Sequence, residues 1–106
     1  MFIYKRCSCT KEGHGKTPVG EFSNIADQIK ILSAPSRIAL VSLLYRSPHC
    51  VGDLQTHTGL SQTLISHQLR HLLSTGVVER TRDKTFIEYR LTKKGRSLVK
   101  VIKTFQ

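Results

Sequence analysis

Three cysteines, Cys7, Cys9 and Cys50, are the side chains in this sequence that are best suited to chemistry. Cys7 and Cys9 are separated by a single residue near the start of the chain, and Cys50 stands alone near its middle. An odd number of cysteines without a secretory signal argues against a disulfide framework. We therefore expect reduced thiols that are available to bind a metal ion or to be oxidised reversibly.

Basic charge is the second chemical feature of the chain. It carries 17 lysines and arginines against 7 acidic residues, which gives a formal net charge of +10. The excess is concentrated within residues 62–106 and, to a smaller extent, within residues 1–20, whereas residues 21–61 are neutral overall. Basic side chains that neutralise phosphates release counterions, so this charge favours a polyanionic partner, with nucleic acid ahead of an anionic membrane surface.

The sequence offers no sign of a membrane or secretory segment. No apolar stretch approaches the roughly 20 residues of a spanning helix. The apolar start Phe2-Ile3-Tyr4 is much shorter than the core of a signal peptide. We therefore expect a cytoplasmic protein with no membrane partner.

The spacing of apolar residues predicts the elements that must position these groups. Apolar side chains recur every three or four residues, as in helices with one buried face, within residues 22–32, 35–46, 51–57, 62–75 and 93–105. Residues 77–82 and 85–91 instead alternate between apolar and polar side chains and are rich in β-branched and aromatic types, which predicts a hairpin that turns at Asp83-Lys84. Local signals support these bounds: Pro35 suits a first helical position, Ser61 and Thr92 suit N-caps, and Gly76 suits a left-handed residue after a helix.

These elements predict the fold class. The third and fourth helices, joined by residues 58–60, form a helix-turn-helix, and the hairpin that follows is its wing. We expect a mainly α protein with a small β-hairpin, a winged helix-turn-helix of about five helices and a two-stranded wing. Residues 1–20 are expected to be a flexible, basic, cysteine-containing tail, and residues 21–106 a DNA-binding and dimerisation domain.

Several segments of this chain resemble the ArsR/SmtB family of winged-helix repressors. They are Leu32-Ser33-Ala34-Pro35-Ser36-Arg37-Ile38, Cys50-Val51-Gly52-Asp53-Leu54, residues 59–69, residues 74–78 and Tyr89-Arg90-Leu91, and the match spans roughly residues 22 to 105 in order. The resemblance implies a homodimer that binds double-stranded operator DNA and is released when a metal ion or a thiol oxidant binds.

The resemblance also implies that the first and last helices form the dimer interface. Both predicted helices carry apolar stripes that such an interface requires: Phe22, Ile25 and Ile29 in the first, and Leu98, Val101, Ile102 and Phe105 in the last. The alternative is that these stripes cover the core of their own chain.

The fourth helix is the predicted reading helix. With Ile65, Leu69 and Leu72 facing inward, its outward residues at the N-terminal half are expected in the major groove. Gln62 can pair with adenine, and the side chain of Arg70 can fork onto guanine or a phosphate. The predicted DNA contacts are Gln62, Thr63, Ser66, His67 and Arg70 on this helix, and Arg80, Arg82 and Lys84 at the hairpin.

The family resemblance also suggests a sensor. Cys50 matches the first thiol of a Cys-x-Cys-Asp-Leu motif in the family, but Gly52 replaces the second thiol. In some relatives the tail of one subunit completes such a site, which implies that Cys7, Cys9 and Cys50 together could bind Zn(II), Cd(II), Pb(II) or As(III). A reversible thiol oxidation switch and an inert set of thiols are the alternatives.

An enzyme is not expected, because the chain has no glycine-rich phosphate loop, no metalloprotease motif and no paired carboxylates. Two other classes stay open. One is a DNA-binding winged-helix protein that senses nothing, and the other is a winged-helix module that binds protein or RNA. A strong sequence preference in DNA binding excludes the latter.

Overall fold

The computed structural model describes residues 17–106. Within this range no helix is long and apolar enough to cross a membrane. Five α-helices and one antiparallel hairpin follow each other in the predicted order, which confirms the predicted fold class. They are α1 (Ser23–Lys30), α2 (Pro35–Arg46), α3 (Val51–Thr58), α4 (Gln62–Ser74), β1 (Val78–Asp83), β2 (Phe86–Leu91) and α5 (Lys93–Thr104).

The first helix is shorter than the apolar pattern predicts. A 3₁₀ turn, Val19–Phe22, precedes α1, and a second, Ile31–Ser33, follows it. The hydroxyl of Ser33 donates to the carbonyl of Lys30 at 2.7 Å, which favours the tighter turn. Pro35 then forces Ala34 into an extended conformation, with φ −106° and ψ 120°, so that the chain must restart in α2.

Caps fix both ends of α4. The hydroxyl of Ser61 accepts the N–H of Leu64 at 3.1 Å, as expected of an N-cap. At the other end Gly76 has φ 78°, its N–H donates to the Leu73 carbonyl, and the N–H of Val77 donates to the Leu72 carbonyl, both at 3.1 Å. These two bonds satisfy carbonyls that the helix leaves unpaired. The sequence-based prediction of both caps is confirmed.

The register of the wing corrects the predicted turn. Asp83 pairs with Phe86, so the connection is Lys84–Thr85 and not Asp83–Lys84. Each residue of β1 therefore pairs two positions further along β2 than the predicted turn implies. This register pairs the buried Val78 with the buried Leu91 at the base of the hairpin, and the shift of two positions leaves each side chain on its predicted face.

The core lies between α2, α4, the base of the hairpin and α5. It brings side chains of every α-helix except α1 into one cluster and is completed by Ile31 from the 3₁₀ turn. Its members are Ile31, Leu40, Val41, Leu44, Leu54, Ile65, Leu69, Leu72, Val77, Val78, Tyr89, Leu91, Leu98, Val99 and Ile102. Burial of these side chains is the main favourable contribution to the stability of the fold.

Thr92 joins the start of α5 to the end of α4. Its side chain accepts the N–H of Gly95 at 3.1 Å and lies within hydrogen-bonding distance of the carbonyls of Gly76, at 2.6 Å, and Val77, at 3.0 Å. Lys94 donates to the carbonyl of Thr75 at 2.8 Å, which adds a cation at the C-terminal end of α4. The wing, the reading helix and the last helix are thus fixed to one another at this junction.

Candidate nucleic-acid interface

The outward face of α4 has the composition that the sequence predicts. Ile65, Leu69 and Leu72 are buried, and this inward stripe fixes the rotation of the helix. The five predicted contacts on this helix are all exposed: Gln62, Thr63, Ser66, His67 and Arg70. Their side chains offer amide, hydroxyl, imidazole and guanidinium groups, which are the groups that hydrogen-bond to base edges and phosphates.

A groove of about 480 Å³ separates this face from the wing. Ser66, Arg70 and Leu73 of α4 line it together with Arg80 of β1 and Tyr89 of β2. Arg80 and Tyr89 are cross-strand partners, so they lie on the same face of the hairpin. Three of the predicted contacts, Ser66, Arg70 and Arg80, are therefore gathered in one groove that carries a guanidinium group from the helix and another from the strand.

The remaining wing residues lie closer to the tip. Arg80 and Arg82 line a second cleft, also of about 480 Å³, together with Thr81 and Ile87. Lys84 is exposed in the connection between the strands and has φ 55°, a left-handed conformation. The three basic side chains predicted on the hairpin are all exposed and can bind an anion.

A backbone bridge holds the base of the wing against the segment between α2 and α3. The N–H of His49 donates to the carbonyl of Tyr89 at 3.0 Å, and the N–H of Tyr89 donates to the carbonyl of His49 at 2.8 Å. The backbone of Tyr89, whose side chain lines the groove, is thereby joined to the segment between α2 and α3.

Two residues of the groove, Leu73 and Tyr89, are absent from the predicted contacts. The signal for Tyr89 was present in the alternation of β2, which places it on the same face as Ile87 and Leu91. Whether Tyr89 lies opposite Arg80 depends on the register of the two strands. The predicted turn at Asp83-Lys84 would place Ile87 opposite Arg80 instead. Leu73 follows the buried Leu72 in α4 and is only partly buried against the core.

The two predicted interface stripes differ in their burial. Phe22, Ile25 and Ile29 are about half exposed, at 49%, 54% and 58%. In the last stripe, Val101 of α5 and Phe105 just after it are exposed, whereas Leu98 and Ile102 lie in the core of their own chain. The alternative reading, that the stripe covers its own core, therefore describes Leu98 and Ile102, and the interface itself stays a prediction.

An apolar groove of about 520 Å³ connects the two stripes. Its apolar lining consists of Ile29, Leu32, Ile38, Val101, Ile102 and Phe105. In a single chain this groove is open to water, and Phe105 at its end is 85% exposed. Water-exposed apolar surface of this extent is favourable to cover.

Cys50 is the one predicted metal ligand within the described residues, since Cys7 and Cys9 lie outside them. It is half-buried at the N-cap of α3. Within residues 17–106, and apart from the backbone of its own helix, a Cβ added at Gly52 meets one atom within 4 Å, the Cys50 sulfur at 3.9 Å, so the described part of the chain leaves space beside this thiol. Across residues 17–106 no three His, Cys, Asp or Glu side chains are grouped to hold a metal ion.

Comparisons with known proteins agree on one family. Residues 34–80 match the model of the bacterial regulatory proteins of the arsR family. The chain is 37% identical over 83 residues to the biofilm growth-associated repressor of Xylella fastidiosa, covering 77% of this chain and 73% of that protein.

Solved structures agree with this family match. The crystal structure of the repressor BigR from Xylella fastidiosa superposes with a TM-score of 0.71 at 36% identity, covering 82% of this chain and 91% of that chain. A homodimeric winged helix-turn-helix DNA-binding domain from Mycobacterium bovis gives a TM-score of 0.69 at 28% identity, covering 89% and 91%.

Proposed function

Because this chain belongs to the arsR family of bacterial regulatory proteins and is a DNA-binding transcriptional regulator, we propose that it is a homodimeric repressor whose α4 and wing bind operator DNA. A thiophilic metal ion at Cys7, Cys9 and Cys50 releases it. The single observation that supports the DNA-binding surface best is the groove lined by Ser66, Arg70 and Arg80.

The two arginines of the groove have different tasks in this proposal. Arg70 extends from the reading helix, where a forked contact to guanine contributes about 1–3 kcal/mol of discrimination. Arg80 extends from the wing, where it can neutralise one phosphate. Each such contact makes the plot of log K against log salt concentration steeper by about 0.9. Arg70 is thus a specificity residue, and Arg80 anchors the wing to the DNA backbone.

Fluorescence anisotropy on DNA from the upstream region of its own gene, over a salt series, tests these roles. We expect Arg80→Ala to weaken binding to all sequences and to reduce the salt slope by about 1. Arg70→Ala should weaken binding to the operator more than binding to unrelated DNA. Lys100→Ala is the matched control, because it removes the same charge from an exposed position of α5 outside the groove. Equal affinity of the unaltered protein for all sequences would contradict the repressor proposal and favour a module that binds RNA or protein.

The second copy in this proposal covers the apolar groove between α1 and α5. Phe22, Ile25, Ile29, Val101 and Phe105 supply the exposed apolar surface, and Leu98 and Ile102 support it from the core. A twofold axis through this contact requires operator half-sites about 34–36 Å apart, or a multiple of this distance.

Sedimentation equilibrium tests the dimer. Phe105→Ser should shift the protein toward monomer, because it removes the most exposed aromatic side chain of the groove. Phe86→Ser is the control, since Phe86 is also an exposed phenylalanine but lies on the wing. The proposed interface would be contradicted if the unaltered protein sediments as a monomer. It would also be contradicted if the Phe105→Ser and Phe86→Ser variants have the same dimer dissociation constant.

The effector half of the proposal rests on the thiols. The open space beside Cys50 leaves room for further ligands, and three thiolates suit Zn(II), Cd(II), Pb(II) or As(III). When bound, such an ion supplies a fixed cross-link between residues that are distant in the sequence. The chain's own contribution is the position of Cys50 at the start of α3, the helix that leads into the reading helix.

Anaerobic anisotropy of the reduced protein with and without stoichiometric Cd(II) tests this effector. We expect Cd(II) to weaken operator binding at least tenfold, about 1.4 kcal/mol of coupling. The C7S/C9S/C50S variant should bind DNA normally and ignore Cd(II), since serine is a favoured N-cap residue at position 50. Unchanged binding of the unaltered protein in Cd(II) would remove metal release and make thiol oxidants the next effectors to test.

A further inference from the structure

His49, which precedes α3, and His57, on α3, lie close to each other. Their ring centroids are 5.6 Å apart, and the ring planes are nearly perpendicular, at 89°. His49 is the second residue before α3, and His57 lies in the last turn of that helix. We infer that the two imidazoles form a second metal site, a two-histidine chelate for a borderline divalent cation such as Zn(II).

The separation of the rings fits a shared ion. Zinc binds an imidazole nitrogen at about 2.0–2.1 Å, so a ring centroid lies about 3.2 Å from the ion, and two rings at a tetrahedral angle have centroids about 5.2 Å apart. The observed separation of 5.6 Å differs from this by a few tenths of an ångström. His57 is exposed, so its ring can turn about its side-chain torsions to close the difference.

The hydrogen bonding of His49 prepares one ring for the ion. Its Nδ1 lies 2.6 Å from the carbonyl oxygen of Ser47. A carbonyl oxygen only accepts, so Nδ1 donates this bond, and in the neutral ring Nε2 then holds the lone pair that binds a metal. Metal-binding histidines usually donate their other ring N–H in this way, which fixes the orientation of the ring.

Asp53 is the acidic residue of α3, the helix that carries His57. It lies four residues before His57 on α3, so both residues share one face of the helix, and both are exposed. Within residues 17–106 no three His, Cys, Asp or Glu side chains are grouped, so Asp53 does not join the two histidines as they stand, and a bound ion would keep coordination positions for water. Imidazole and carboxylate ligands suit Zn(II), Ni(II) and Cu(II), whereas the softer Cd(II) and As(III) prefer the thiolates.

An ion at this site acts on the segment that anchors the wing. The backbone of His49 exchanges two hydrogen bonds with Tyr89, and His57 precedes the Gly59 turn that leads to α4. The ion therefore ties the wing anchor to α3 in the conformation that brings the rings together. Since this conformation belongs to the folded chain, the ion also stabilises the fold against unfolding.

Zinc titration of the full-length C7S/C9S/C50S variant by calorimetry tests the site without the thiols. We expect one Zn(II) per chain and a rise in Tm, with binding weakened at least tenfold by His57→Gln and by His49→Gln. His71→Gln is the matched control, because His71 is an exposed histidine on α4. It should leave the affinity unchanged.

Two outcomes would overturn the histidine site. One is that the His57→Gln variant binds Zn(II) as tightly as its parent, and the other is that the His71→Gln control loses as much Zn(II) affinity as the His57→Gln variant. His57 is exposed, so its substitution tests the chelate even where His49→Gln disturbs the backbone bridge. Zn(II) binding by the two histidines does not depend on the proposed function. Only an effect of this bound ion on DNA binding rests on that function. Failure of Cd(II) release in the unaltered protein contradicts the thiolate sensor, whereas failure of Zn(II) binding in the cysteine-free variant contradicts the histidine site.

Discussion

The close contact between α5 and the end of α4 makes Gly95 the most sensitive glycine of the fold. A Cβ at this position would overlap the carbonyl oxygen of Val77 and lie 2.9 Å from Cδ2 of Leu91. The Val77 carbonyl is part of the backbone and accepts the N–H of Thr92 at 3.0 Å, so it cannot move away without losing that bond. We expect Gly95→Ala to separate the start of α5 from the base of the wing.

The size of the effect follows from opposing contributions. Replacing glycine by alanine within a helix stabilises by about 0.5–1 kcal/mol. Against this, forcing an extra methyl into a packed interior costs about 1–3 kcal/mol. Each hydrogen bond lost at the Val77 carbonyl costs about a further 1 kcal/mol. The net expectation is a loss of about 2 kcal/mol in the free energy of unfolding.

Equilibrium unfolding in urea, followed by circular dichroism at one protein concentration, measures this loss. A fixed concentration matters because a dimer couples stability to mass action. Gly52→Ala is the matched control: it lies in a helix too, but its added Cβ would be 3.9 Å from the Cys50 sulfur, an ordinary contact. We expect this variant to be as stable as the parent or slightly more so. If Gly95→Ala is also as stable as the parent, the close approach is not rigid and the reasoning is refuted.

Three further substitutions probe the caps and the turn. Thr92→Ala should cost about 1–2 kcal/mol by urea unfolding, because the hydroxyl caps α5 and also contacts the carbonyls at the end of α4. Ser61→Ala should cost about 1 kcal/mol through the lost N-cap of α4, and a stability equal to that of the parent would contradict the cap. Lys84→Gly should leave stability unchanged or raise it by up to about 1 kcal/mol, because it relieves a left-handed φ of 55°. The same variant should weaken DNA binding in anisotropy, and a stability loss instead would show that the lysine side chain supports the wing.

Apolar spacing together with cap residues is sufficient to predict the helix-turn-helix. The helix-turn-helix was predicted in full, since Ser61, Gly59 and Gly76 occupy positions where few residue types serve equally well. The family assignment and the role of a transcriptional regulator are confirmed by the matched relatives, and so is the expectation that the chain is not an enzyme.

The spacing of apolar residues does not predict two features of the fold, the division of the first helix and the position of the hairpin turn. The first helix is divided into a short α-helix and two 3₁₀ turns, because local serine hydrogen bonds change its pitch without changing the apolar spacing. The hairpin turn was misplaced by one residue, because alternation fixes which face a strand residue occupies and leaves its partner undetermined. The structure pairs Val78 with Leu91, and both lie in the shared core.

The sequence by itself determined the elements, the basic half of the chain and the exposed face of the reading helix, because these depend on residue type and on spacing within one segment. Tertiary structure decided what depends on several segments at once. It brought Arg70 and Arg80 to one groove, divided the α5 stripe between core and surface, and placed His49 beside His57. The physical reason is that the distance between side chains on different elements is set by packing and register, and neither quantity is encoded in the local pattern.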